Sequence, residues 1–263
     1  MAIAILVSLL LDLQAGPAAL GIPEILAGIV DPSSLAPRHQ VILWWVRMPD
    51  ALIAVAVGAA LGLAGLESQT VLNNPLASPF TLGVSSAAVL GASVSVVLVP
   101  SIGWMPDSLV LPALALLFAL ASSAAILAVV QRTSGARETV VLYGIALVFL
   151  CNALTASLHY VADAEAVQRI VFWTIGNLTR AGWPEVATVA GVFLLILPFS
   201  LRDMWVLTVL RGGESHARSS GIDVARLRLR SILRVSVLAA FAVCFVGAIG
   251  FIGLVAPHVA RLA

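Results

Sequence analysis

The chain has 263 residues, of which 61% are hydrophobic and 10% charged, with a formal net charge of +1, whereas a soluble domain is about half apolar and roughly a quarter charged. That composition excludes an ordinary water-soluble domain. Since a membrane-spanning helix takes about 20 apolar residues, it leaves room for about seven or eight spans and little else. All 14 basic residues are Arg, and they cluster between apolar runs, which speaks against nucleic-acid binding.

Uncharged runs bounded by charges or turn residues predict seven spans, over 1–13, 51–66, 80–99, 108–131, 139–162, 186–201 and 235–257. The first lacks a basic leader and is followed by further spans, so it reads as a shortened first helix, not a cleaved signal peptide. The second and third carry small residues one turn apart, Ala54, Gly58 and Gly62 in one and Gly83, Ala87, Gly91 and Ser95 in the other. Such stripes let helix backbones approach closely in lipid. Between these spans, residues 73–79 hold two asparagines and two prolines, which favour turns and interrupt helical hydrogen bonding. Beyond the fifth run, a moderately polar stretch carries Trp173 and Trp183, whose rings suit a membrane–water interface. Cys151 and Cys244 each sit inside an apolar run and read as packing residues, with no disulfide or metal site suggested.

Positive charge is retained on the cytoplasmic side. With the N-terminus inside, inner segments hold nine Arg and outer segments five, so the N-terminus is expected to be cytoplasmic.

The chain contains no Gly-rich phosphate loop and, without Lys, cannot build one; no hydrolase signature appears either, so no catalytic residue is assigned. Proton-coupled carriers place an ionisable group deep in a span. Here every carboxylate falls near a span end or in a loop, Glu67 included, which weakens a secondary-carrier reading. The most informative polar stretch is 202–234. Residues 211–221 read as a short helix with Glu214 in its first turn and Gly221 as its stop, and Asp223 caps a second short helix carrying Arg226, Arg228 and Arg230. On these residues alone, the pair is either a docking element for a cytoplasmic partner or a positive-inside anchor.

Several segments together resemble one known family. They are Arg47-Met48-Pro49; Gly58-Ala59-Ala60-Leu61 through Gly65 and Gln69; Asn74-Pro75-Leu76-Ala77 with Pro79, Leu82-Gly83-Val84 and Ser85; Gly213-Glu214, Ala217-Arg218 and Gly221; and the most specific run, 247–258, with Ala260-Arg261. In order and over nearly the whole chain, they are similar to permease subunits of ABC importers for ferric siderophores, haem and cobalamin.

The resemblance implies an all-α, polytopic transmembrane bundle with about seven spans of a ten-helix importer fold. It forms one domain over 1–263 with a coupling segment near 211–230. It also implies a bacterial cytoplasmic-membrane protein that works as a homodimer or pseudo-dimer, surrounded by membrane lipid, with a cytoplasmic ATPase subunit and a periplasmic or surface binding protein. No cofactor or metal is bound directly; ATP and magnesium are used by the ATPase. Asn74, Pro75 and Leu76 are expected at the inner gate, faced by Arg137 and Glu138. Glu214, Ala217, Arg218, Gly221, Asp223 and Arg226 are expected to couple to the ATPase. Arg47 is expected at the outer mouth, opposite an acidic residue of the binding protein, although the family's usual second Arg after the proline is Asp50 here. The family continues past the match to Arg261 with an Asp-His-Arg loop and three more helices, so the resemblance implies that the last three are missing. The cargo expected is a metal chelate, first a ferric siderophore. The alternative is a secondary transporter without an ATPase partner.

Overall fold

A computed structural model describes residues 2–16, 18, 20–98, 107–132 and 137–262. Its helices are α1 (Ala2–Gln14), α2 (Ile22–Val30), α3 (Pro37–Val41), α4 (Met48–Val71), α5 (Val84–Leu98), α6 (Asp107–Arg132), α7 (Arg137–Val161), α8 (Ala164–Ile175), α9 (Trp183–Arg211), α10 (Glu214–Ser219), α11 (Val224–Val246) and α12 (Ile252–Leu262). A π-helical turn, Ile42–Arg47, joins α3 to α4 in one 35-residue helical stretch. Among the described residues, five helices are long and apolar enough to cross a membrane, those ending at Val71, Arg132, Val161, Arg211 and Val246, while α1, α5 and α12 are shorter apolar helices. The expected end of the third span at Val99 lies outside the described residues.

Several boundaries differ from the sequence reading: the helices of the second and sixth runs continue past 66 and 201 to Val71 and Arg211, and both ends of α11 fall elsewhere. The seventh uncharged run is two helices, because α11 ends at Gly247 (φ +81), whose N–H still donates to the Val243 carbonyl, and the chain runs irregularly to α12. Glycine is required at that position. Gly247 sits against the Trp173 carbonyl and Gly176, leaving no space for a side chain. At its other end α11 extends back through all the arginines to Asp223, so the expected second short helix is the first two turns of a long one. Charge marks the edge of the membrane but does not end a helix, since Arg is a good helix former.

The bundle is organised around α4 and α11, which pack on each other; α4 also packs on α9 and α12, and α11 on α6 and α9. In lipid, such packing rests on close van der Waals contact, not on exclusion of water. That contact is closest at glycines. A side chain on Gly65 would run into the Gly253 carbonyl of α12, and one on Gly91 into the Leu114 carbonyl of α6. The Ala54–Gly58–Gly62 stripe behaves otherwise, since Gly58 faces open space and the stripe lines a groove of about 680 Å³ bordered by α1, α9 and α12. Gly83 lies before α5; it ends the Pro79–Leu82 turn at φ +78 and sits against Gly144 and Leu147 of α7. Trp173, expected at an interface, is 3% exposed in the main core, while Trp183 stacks on Trp44 and donates from Nε1 to the Trp44 carbonyl (2.8 Å). Both cysteines are buried among apolar neighbours.

Candidate coupling and gate site

The short helix α10 is built as the sequence suggests. Its C-terminus closes with Gly221 N–H donating to the Arg218 carbonyl (3.0 Å) and Ile222 N–H to the Ala217 carbonyl (3.1 Å). This paired closure requires a left-handed residue after the cap, and Gly221 supplies it at φ +79. Ala217 is fully buried among Leu210, Val224 and Leu227, which fastens α10 to the end of α9 and the start of α11. Asp223 accepts from Arg226 N–H (3.0 Å) and pairs with the same residue's Nε (3.0 Å), so Arg226 folds back on its own cap.

The acidic residue of α10 has two cationic partners. Glu214 pairs with Arg218 on the outer side (2.7 Å) and with Arg228 on the inner side (3.1 Å). The hydrogen bond from Arg218 is the main reason its carboxyl is held below the usual carboxylate range, partly opposed by desolvation. Arg228 is 2% exposed and also donates from Nε to the Val71 carbonyl (3.3 Å), the last residue of α4. One buried guanidinium thus joins α10, α11 and the end of α4.

The predicted gate segment begins three residues later, at Asn74. Asn73 adopts φ +46, Asn74 N–H donates to the Gln69 carbonyl, and Asn74 Oδ1 accepts from Leu76 N–H (2.9 Å), which folds the segment into a tight turn. Pro75 and Leu76 project from it, Leu76 at 68% exposure. Arg137 and Glu138 open α7 and pair with each other across a 2.6 Å contact at an exposed position. Their charges interact with Glu214 and Arg228 respectively, so the gate candidates and the α10 clasp occupy one end of the bundle.

Arg47 departs from expectation. It is 8% exposed, and its guanidinium donates to the Leu13 carbonyl (2.7 Å) and the Ala18 carbonyl (2.7 Å). The charge is turned inward to tie the segment after α1 to the start of α4. The Leu13 carbonyl is one of those left over at the end of α1, and the Ala18 carbonyl lies in the segment beyond it.

Sequence reasoning missed a second ionic cluster. Arg234 of α11 donates from Nε to both carboxylate oxygens of Glu67 (3.0 Å each), from Nη1 to Asp203 of α9 (2.7 Å), and from Nη2 to Ser231 (3.1 Å). Glu67 is 2% exposed. The signal was present: each of the three stands at the edge of an uncharged run on a different helix, and residues at the same depth on neighbouring helices meet.

The comparisons with known proteins follow this geometry. Residues 4–263 match the FecCD transport family. A Helicobacter pylori protein named as an iron chelatin transport system permease is 35% identical over 85% of this chain and 66% of its own length. The vitamin B12 import system permease protein BtuC of Vibrio cholerae is 30% identical over 88% of this chain and 68% of its own. A solved structure, assigned as an inward-facing conformation of a metal-chelate type ABC transporter, superposes with a TM-score of 0.86 at 27% identity, covering 99% of this chain and 79% of that one. The chain spans about two thirds of the length of the curated relatives it matches. Matched to the family over nearly its whole length, this multi-pass membrane protein belongs to the FecCD transport family.

Proposed function

We propose that the chain forms the translocation subunit of an ATP-driven importer that brings a metal chelate, first a ferric siderophore and otherwise haem or cobalamin, across a bacterial cytoplasmic membrane. It works beside a second permease subunit, and it is not itself the ATPase. The observation that carries this reading is the Arg228 link, because it gives an exposed helix a direct connection to the end of a central span. Glu214, Ala217, Arg218 and Gly221 present α10 to a cytoplasmic ATPase, which uses ATP and magnesium, and Asp223 with Arg226 steadies the start of α11. When the ATPase pair closes on ATP, α10 moves with it, and Arg228 carries that movement to Val71 and the turn at Asn74, Pro75 and Leu76. Arg137 and Glu138 form the facing wall. Gating of this kind is a switch between two packed arrangements, driven by a ligand that favours one of them. A separate binding protein delivers the chelate from outside, with α10 on the cytoplasmic side and the N-terminus inside.

The secondary-carrier alternative gains nothing from Glu67. A carboxylate that shuttles protons must lose its partner on each cycle, and Glu67 is held by both oxygens against a buried guanidinium. The test is to purify the subunit with its ATPase and binding protein, reconstitute them in liposomes and add candidate chelates. Stimulated ATP hydrolysis with uptake is expected; uptake driven by a proton gradient without ATP would overturn the proposal.

A further inference from the structure

A groove of about 560 Å³ runs between α9 and α11 on the outer surface of the bundle. Its stretch away from α10 is apolar, lined by Leu195 and Phe199 from α9 and Val237 and Phe241 from α11. Its stretch toward the α10 end carries Arg202 and Arg230, both exposed and neither with a side-chain partner among the described residues. Asp203 lies beside them but is taken up by Arg234, so the cationic end is not neutralised from within.

The order along the groove matches the profile of a lipid. Arg230 stands six residues into α11, roughly 9 Å along a helix that rises 1.5 Å per residue, while Leu195 and Phe241 lie two to three turns further in. Guanidiniums at the edge and an open apolar channel behind them suit a phosphate head group with its acyl chain. Basic sites between helices at the cytoplasmic surface recognise such head groups. A free anion would use only the edge and leave Leu195, 68% exposed, uncovered.

We infer that the α9–α11 groove binds an anionic phospholipid of the inner leaflet, with Arg202 and Arg230 on the phosphate. The leaflet rests on the orientation proposed above; the binding itself does not.

Native mass spectrometry of the subunit as it occurs in its membrane, purified and loaded with phosphatidylglycerol or phosphatidylcholine, tests this without any ATPase or chelate. Phosphatidylglycerol should be retained preferentially. R202Q/R230Q should cut that retention on the order of thirtyfold, from about a fivefold contribution per arginine near an anionic lipid. R169Q/R180Q, which removes the same charge elsewhere on the surface, should leave it unchanged. L195W, filling the apolar channel at an exposed position, should also reduce retention and serves if the double variant folds poorly. Equal retention of both lipids, retention unchanged by R202Q/R230Q and L195W, or displacement by inorganic phosphate alone would each overturn the inference. Because lipid retention is read on the permease alone, failure here leaves the importer reading untouched, and failed ATP-driven uptake leaves the lipid site standing.

Discussion

Two clusters of arginine and carboxylate lie toward the same end of the bundle, and their surroundings set them apart. In the Glu67–Arg234–Asp203 cluster, side-chain exposures are 2%, 9% and 14%; in the Glu214–Arg218 pair they are 31% and 64%. A buried pair adds little net stability when intact, since desolvation offsets the attraction, but removing one partner strands the other's charge. An exposed pair is screened by water and costs little to break. The first cluster therefore fixes how α4, α9 and α11 sit, while the second can open and close. Arg228 touches both regimes, buried itself yet bonded to a half-buried carboxylate.

The largest effect should come from the buried side. Arg234→Met strands two carboxylates and should destabilise the fold by about 3–5 kcal/mol, seen as lost thermal stability in detergent; E67L/D203L/R234M should recover most of it. Next comes close packing, where Gly65→Val forces a side chain onto the α12 backbone and should cost about 1–3 kcal/mol. Gly58→Val, two turns earlier on nearly the same helix face but facing open space, should change stability by less than about 0.5 kcal/mol. If the two variants behaved alike, the distinction between the α4–α12 contact and the open stripe would fail.

On the exposed side, stability should move less than coupling. Gly221→Pro removes the N–H that closes α10 and forbids the left-handed backbone, so uptake should fall while basal ATP hydrolysis persists. Since the Glu214 carboxyl is held low, the clasp is complete above the unfolded carboxylate value and is lost only as pH falls through the native one. Coupling should therefore stay flat from neutral pH down to about pH 5, above the ordinary Glu value of ~4.3. Modest effects belong to the start of α11. Asp223→Ala should cost about 1 kcal/mol as a lost cap, and Arg226→Ala no more than about 0.5 kcal/mol as a broken surface pair.

Much of this architecture was legible in the residues. The uncharged runs located the main spans, the Asn-Pro turn located the break after α4, and Glu214 through Gly221 located α10, because caps and stops act locally. What was not legible depended on three-dimensional proximity. The need for glycine at 247 comes from the backbone at the end of α8, about 70 residues away in sequence. Arg47 looked like an outward charge because its acceptors, the Leu13 and Ala18 carbonyls, are backbone atoms with no sequence signature. Glu67, Asp203 and Arg234 each read as ordinary span edges, and only the shared depth of three helices makes them one cluster.

The proposed transmission of movement from α10 to the gate turn runs through Arg228. The most direct measurement compares Arg228→Gln with the parent protein in proteoliposomes, reading chelate uptake and ATP hydrolysis side by side after thermal melting has shown that both are folded. Uptake is predicted to fall about tenfold, a coupling loss of ordinary size for linked sites, while ATP hydrolysis continues. Uptake and hydrolysis that both stay at parental levels in the folded variant would contradict the account.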